Sequence, residues 1–113
     1  MSQFLPRRLQ GLLVVILAAL AAIASAPREH HGTRTHTITI EGAAFSPSAL
    51  TVALGDTVQW VNKDPYPHTA TAKAFDSGTI LTDKSWKVRL DKRGEFAYIC
   101  SLHQTMKGVL TVR

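Results

Sequence analysis

From Thr35 onward the apolar residues recur at every second position in short runs, and no stretch of ten residues carries a helical period. Successive side chains of a strand point to opposite faces, so a period of two predicts half-buried strands. The run 35–40 places Ile38 and Ile40 on one side, and 50–54 resumes the alternation after a turn at Ser46-Pro47-Ser48. Gly55-Asp56 reads as a hairpin-type turn into 57–61, where Val58 and Trp60 share a face. Pro65 and Pro67 exclude a strand across 62–67, after which 68–72 reads as a short strand. Residues 73–84 carry no clear pattern. The runs 86–90 and 95–100 alternate on either side of an Asp91-Lys92-Arg93-Gly94 turn, and 108–113 closes the chain. About seven or eight short strands separated by turns predict an all-β protein, a small β-sandwich or barrel with Greek-key connections.

The N-terminal residues do not belong to that pattern. Arg7 and Arg8 precede an almost wholly apolar run over 9–24, followed by Ala24-Ser25-Ala26, which suits a signal peptidase. Residues 1–26 therefore read as a signal peptide, with an uncleaved membrane anchor as the alternative, because the run is at the short edge for a span. Paired arginines also occur in twin-arginine export signals. Residues 27–34 are polar and form a flexible leader, leaving 35–113 as one small domain. The 13 Lys and Arg against 8 Asp and Glu include Arg7 and Arg8, and the remaining cations are scattered among acids. That distribution describes a solvated surface and argues against a nucleic-acid partner.

A domain this small gains from a staple, and an exported one commonly uses disulfides. Cys100 is the single cysteine, so no disulfide forms within the chain. A lone exported thiol is either an intermolecular partner or a committed ligand. Three residues after Cys100 comes His103, and three further on Met106. Thiolate, imidazole and thioether on one short segment form a soft donor set. A trigonal pair of imidazoles with a thiolate and a weak thioether suits both oxidation states of copper. His68, which emerges from the stiff Tyr66-Pro67 entry, supplies the second imidazole. The candidate metal ligands are thus His68, Cys100, His103 and Met106, around one mononuclear copper ion. Zinc would accept the first three, but thioether is a poor zinc ligand. The absence of Cys-x-x-Cys-His excludes covalent haem.

The segment Gly55-Asp56-Thr57-Val58-Gln59-Trp60-Val61-Asn62, then Pro67-His68, then Tyr98-Ile99-Cys100-Ser101-Leu102-His103-Gln104-Thr105-Met106-Lys107-Gly108 resembles the cupredoxins, the small blue copper proteins. The short gap between His103 and Met106 looks amicyanin-like, as does Phe45-Ser46-Pro47. The resemblance covers 35–113. It implies a Greek-key sandwich of the cupredoxin type, a type 1 copper site, and single-electron shuttling between periplasmic redox proteins such as a c-type cytochrome, a dehydrogenase or an oxidase. Two features depart from the family pattern. Thr69 follows His68 where Asn is common, and the loop 101–105 lacks prolines.

The reading is of a monomeric electron carrier and no enzyme, since four protein donors leave no open position for substrate. The alternatives are a copper carrier or resistance protein that buffers the ion, and a metal-free sandwich whose Cys100 pairs between molecules. His30, His31 and His36 read as part of a solvated tail, with a second copper site as the competing idea. Trp60 and Trp86 read as core and sheet-face residues. Tyr66, Pro67, Leu102 and the edge of His103 are expected to crowd the ligand end of the molecule as an apolar patch.

Overall fold

The computed structural model describes residues 32–113, so the signal segment, most of the leader, His30 and His31 lie outside it. Eight strands follow one another: β1 (Thr35–Glu41), β2 (Ala44–Ser46), β3 (Ala49–Val52), β4 (Thr57–Asn62), β5 (Thr71–Ala72), β6 (Ser85–Arg89), β7 (Gly94–Cys100) and β8 (His103–Val112). They form two four-stranded sheets, ordered β2-β1-β4-β6 and β3-β8-β7-β5. The all-β sandwich expected from the alternation is the observed fold. No helix among the described residues is long and apolar enough to cross a membrane.

Alternation along each strand decides which residues meet between the sheets. Ile38 and Ile40 from β1, Val58 and Trp60 from β4, Tyr98 and Cys100 from β7, and Met106 and Leu110 from β8 are all buried. Fully burying an aliphatic or aromatic side chain of this size contributes about 1.5–3 kcal/mol relative to leaving it exposed. Trp60 is the hub of this layer. Its ring lies 5.7 Å from Trp86, 5.4 Å from Phe75 and 5.5 Å from Tyr98, centroid to centroid.

Three local expectations need correction. Gly55-Asp56 is not a hairpin turn, because β3 and β4 belong to different sheets. Leu54 N–H donates to Arg113 O and Gly55 N–H to Leu90 O, so this turn carries the chain from one sheet to the other. A parallel pairing replaces the hairpin: β4 runs beside β1, with Thr35 opposite Thr57 and Ile40 opposite Asn62. The strand expected over 68–72 is shorter, since β5 holds only Thr71 and Ala72. His68 instead makes an isolated bridge with Ile80, through N–H···O distances of 3.2 and 2.7 Å. Finally, β8 starts at His103 rather than at Gly108, and only Ser101 and Leu102 separate it from β7.

Candidate metal centre

His68 sits between β4 of one sheet and β5 of the other, and a polar cage fixes its position. Asn62 ends β4 fully buried and spends both amide hydrogens on Tyr66 O and Ile80 O, each at 2.9 Å. Its Oδ1 accepts the Asp64 N–H at 2.9 Å. Pro65 and Pro67 lock their own φ angles, so the loop has little freedom on the way to His68. The His68 side chain is 0% exposed. Its Nε2 lies 2.7 Å from Asp64 Oδ2, and its Nδ1 lies 3.7 Å from Cys100 Sγ.

Cys100 ends β7 at the same pole of the sandwich. Tyr98 faces Gly108 and Ile99 faces Lys107, so continued pairing would set Cys100 opposite Met106. The register instead jumps and Cys100 pairs with His103. That irregularity makes room for extra residues on β8 and turns His103 toward the thiol, with Nδ1 3.9 Å from Sγ. Met106 keeps the inward parity of Gly108 and Leu110 and is buried in the core cluster. Burial alone pushes the Cys100 thiol up. Polar contacts, the Thr69 N–H foremost, outweigh it and bring the thiol down to about 6. The shift favours the thiolate, the form that binds metals.

The donor geometry fits a metal ion. The ligand atoms of His68, Cys100 and His103 all lie within 4.8 Å of one another. Metal–nitrogen and metal–sulfur bonds of about 2.05 and 2.3 Å at 120° hold N and S about 3.8 Å apart. The two observed N···S separations bracket that value, at 3.7 and 3.9 Å. Of the four residues named from the sequence, His68, Cys100 and His103 form a cluster of donor atoms, and Met106 lies buried on β8, three residues beyond His103.

Two residues at the centre escaped the sequence reading. Asp64 looks like an ordinary loop acid, yet it is 4% exposed and accepts N–H groups from Gly42 at 2.7 Å and Ala43 at 2.9 Å. Burial pushes its carboxyl up, but the Ala43, His68 and Gly42 donors outweigh this and hold it below the usual carboxylate range. Asn62, the second, is the floor of the same cage. The available signal was their spacing, Asn62 and Asp64 on either side of one residue with His68 four beyond, but spacing alone does not reveal burial.

Thr69, the departure from the family pattern, has a defined task. Its N–H points at Cys100 Sγ at 3.3 Å, and its Oγ1 accepts the Ser101 N–H at 2.8 Å. The segment carrying His68 is thereby tied to the turn carrying Cys100. His36 belongs to no such cluster. It lies in β1 with Nε2 2.8 Å from Asp56 Oδ2, and among the described residues the only metal-competent group is His68, Cys100 and His103. At the surface of this pole Tyr66 is 41% and Leu102 54% exposed, with Pro67 and His103 also exposed. The His103 ring lies 5.2 Å from His68 and 5.9 Å from Tyr66. The residues expected to form an apolar patch here are exposed, and the imidazole of His103 is accessible beside Tyr66.

A family model described as Cupredoxin-like domain matches residues 13–112. The chain is similar to plastocyanin of Scenedesmus fuscus, 33% identical over 84 residues that take in 61% of this chain and 86% of that protein. It is also similar to amicyanin of Paracoccus versutus, 28% identical over 80 residues, 65% of this chain and 61% of the relative. Among solved structures, a copper-containing nitrite reductase from Thermus scotoductus SA-01 superposes with a TM-score of 0.67 at 28% identity, over 70% of this chain and 22% of that one.

Proposed function

The chain belongs to the cupredoxin-like family, and from that premise we propose that it is a periplasmic type 1 copper protein that carries one electron at a time between redox partners. The observation that carries this reading is the trio of donors, two buried and one exposed, with both imidazole nitrogens at 3.7 and 3.9 Å from the cysteine sulfur. His68 and His103 would hold the ion through nitrogen, Cys100 through its thiolate, and Met106 as a weak thioether donor. Copper supplies the one-electron Cu(II)/Cu(I) couple, and this mixed soft and borderline donor set serves both states.

The residues do the rest. The Thr69 and Leu102 N–H groups favour the ionised form of Cys100. The cage around His68 and the Thr69–Ser101 tie hold the donors in place, so little need move when the charge of the ion changes. His103 is the exposed ligand, and its ring edge offers an electron a short path out through the Tyr66, Pro67 and Leu102 patch. A c-type cytochrome, a dehydrogenase or an oxidase with a matching apolar face would dock there. With four protein donors the site has no free position for a substrate, so the protein is a carrier rather than an enzyme. The similarity to a nitrite reductase reaches 22% of that chain and brings no activity with it. The apolar leader at 9–24 supports export, and the protein acts as a monomer.

The test is a titration of the purified protein with Cu(II). An intense visible thiolate-to-copper band and a narrowly split EPR signal are expected, and Cys100→Ser abolishes both. A pale complex, or a band that persists in the variant, refutes the assignment. Rapid reversible reduction by a c-type cytochrome separates a shuttle from a protein that only buffers copper.

A further inference from the structure

We propose that Asp64 is a positioning residue for the metal centre, whose carboxylate decides which ring nitrogen of His68 faces Cys100 and holds the ring in that pose before metal arrives. The inference rests on the copper reading above for its consequences, but not for its geometry.

A neutral imidazole has one donor and one acceptor nitrogen, and the tautomer follows from what each nitrogen meets. His68 Nε2 meets Asp64 Oδ2 at 2.7 Å. The Asp64 carboxyl already accepts the N–H of Gly42 on Oδ1 and of Ala43 on Oδ2. Backbone N–H groups can only donate, and a carboxylate can only accept, so the ring must supply the hydrogen of the third bond. Nε2 therefore carries the proton, and Nδ1, 3.7 Å from Cys100 Sγ, presents a bare lone pair to the metal position. An amide or a water in place of Asp64 could donate as well as accept and would leave the tautomer open.

Nor can Asp64 drift. Its own N–H is held by Asn62 Oδ1, and the same Asn62 amide holds Ile80 O, the carbonyl of the residue that bridges His68. Ring and backbone of His68 are thus anchored to one cage. The Gly42-Ala43 corner is equally defined, with φ of 61° and 53° pointing both N–H groups at the carboxylate. A bond from a ligating histidine to a carboxylate orients the ring and raises its basicity, and losing such a partner typically costs about 10–100-fold in metal affinity.

A purely structural role needs a control, and Asp56 provides it. At the other end of β4 it also accepts backbone N–H groups and a histidine ring nitrogen, far from any ligand cluster. The first measurement is long-range proton–nitrogen NMR on the metal-free wild-type protein. It should show His68 protonated at Nε2 only, with a slowly exchanging ring proton. Protonation at Nδ1 overturns the proposal whether or not any variant folds. The second compares Asp64→Asn with Asp56→Asn. We expect Asp64→Asn to mix the His68 tautomers and weaken Cu(II) binding about 10–100-fold. It should also raise the reduction potential, because removing a nearby negative charge disfavours Cu(II) more than Cu(I). A tenfold bias between the two states corresponds to about 59 mV for one electron. Asp56→Asn should change stability alone. Equal potentials and an unchanged tautomer in the two variants overturn the proposal. Wild-type protein that shows the Nε2 tautomer but binds no copper refutes the copper reading and leaves the positioning of His68 supported.

Discussion

Replacing Thr69 by Val tests whether the two ligand-bearing segments are joined through a single oxygen. Thr71 Oγ1 donates to Asp76 Oδ1 at 3.2 Å, so it accepts the Thr69 hydroxyl hydrogen across 2.9 Å. Thr69 Oγ1 is then left to accept twice, from Ser101 N–H at 2.8 Å and from Ser101 Oγ at 3.0 Å. Its bonding capacity is full. Valine has nearly the same shape and none of these bonds. The two hydroxyl partners lie near solvent and can turn to water, so their loss counts for little. The Ser101 N–H is different, because it sits at the register break and loses its acceptor. A net hydrogen bond of about 1 kcal/mol plus about 1 kcal/mol for the unpaired donor gives about 2 kcal/mol. For a domain of this size that is a fall of about 8–16 °C in Tm, at about 4–8 °C per kcal/mol. Thr69→Ser keeps the oxygen and loses one methyl, about 0.8 kcal/mol. The assay is thermal unfolding of the metal-free forms by circular dichroism. In the copper-loaded forms the visible band should survive both changes, since the Thr69 N–H to Cys100 Sγ contact belongs to the backbone. A Thr69→Val protein that melts within about 4 °C of wild type and no lower than Thr69→Ser refutes the idea that this oxygen ties the segments.

Strong acid should also act at the opposite pole, through Asp56. The N–H of Arg34, the His36 ring and the N–H of Ala53 hold the Asp56 carboxyl down at about 2. A carboxyl with a lowered folded-state pKa adds stability above its unfolded value of about 3.9 and forfeits it as pH falls through the folded one. Denaturant midpoints should therefore drop between about pH 4 and pH 2, and Asp56→Asn should flatten that part of the profile; an identical pH profile in the variant would exclude Asp56 as the source. Gly108→Ala should be costly for a steric reason, because a methyl there overlaps the Tyr98 ring across the β7–β8 pair. Overpacking of this kind typically costs about 1–3 kcal/mol, read as a lower urea midpoint, and a neutral result would show that the Tyr98 ring can move aside.

Strands with clean alternation were legible because one face of each is buried: β1, β4, β6 and β7 appear within a residue or two of their expected places. The ligands were legible for a different reason. Thiolate, imidazole and thioether in one small chain with a single cysteine have few other joint uses, and three of them are close in sequence. What stayed hidden depends on partners distant in the chain. Three residues of β2 carry too little pattern to announce a strand, and they are held by register with Thr39, Ile40 and Glu41. Gly55-Asp56 has hairpin chemistry, yet the bonds from Leu54 to Arg113 and from Gly55 to Leu90 send the chain across the sandwich. Asn62 and Asp64 are polar residues next to a proline loop, where solvent exposure is the usual outcome. Only the arrival of the Gly42-Ala43 corner and the Ile80 carbonyl buries them.

Asp56 and Asp64 flank β4, and together they explain why an 82-residue described segment, 32–113, keeps its shape around a pole full of loops. A parallel pair such as β1 and β4 has no hairpin to close its ends. Asp56 clamps the start of β1 through Arg34 N–H, and Asp64 clamps its finish through the Gly42 and Ala43 N–H groups. Each aspartate also takes a histidine ring nitrogen, at 2.8 Å for His36 and 2.7 Å for His68. The same device is built twice on one strand. What separates the two is surroundings: the His36 side chain is 25% exposed, whereas that of His68 is 0% exposed and turns its other nitrogen to Cys100. A clamp that secures a sheet end is thereby also a mount for a ligand. The rigidity demanded of a one-electron site is met by bonds the sandwich needs in any case.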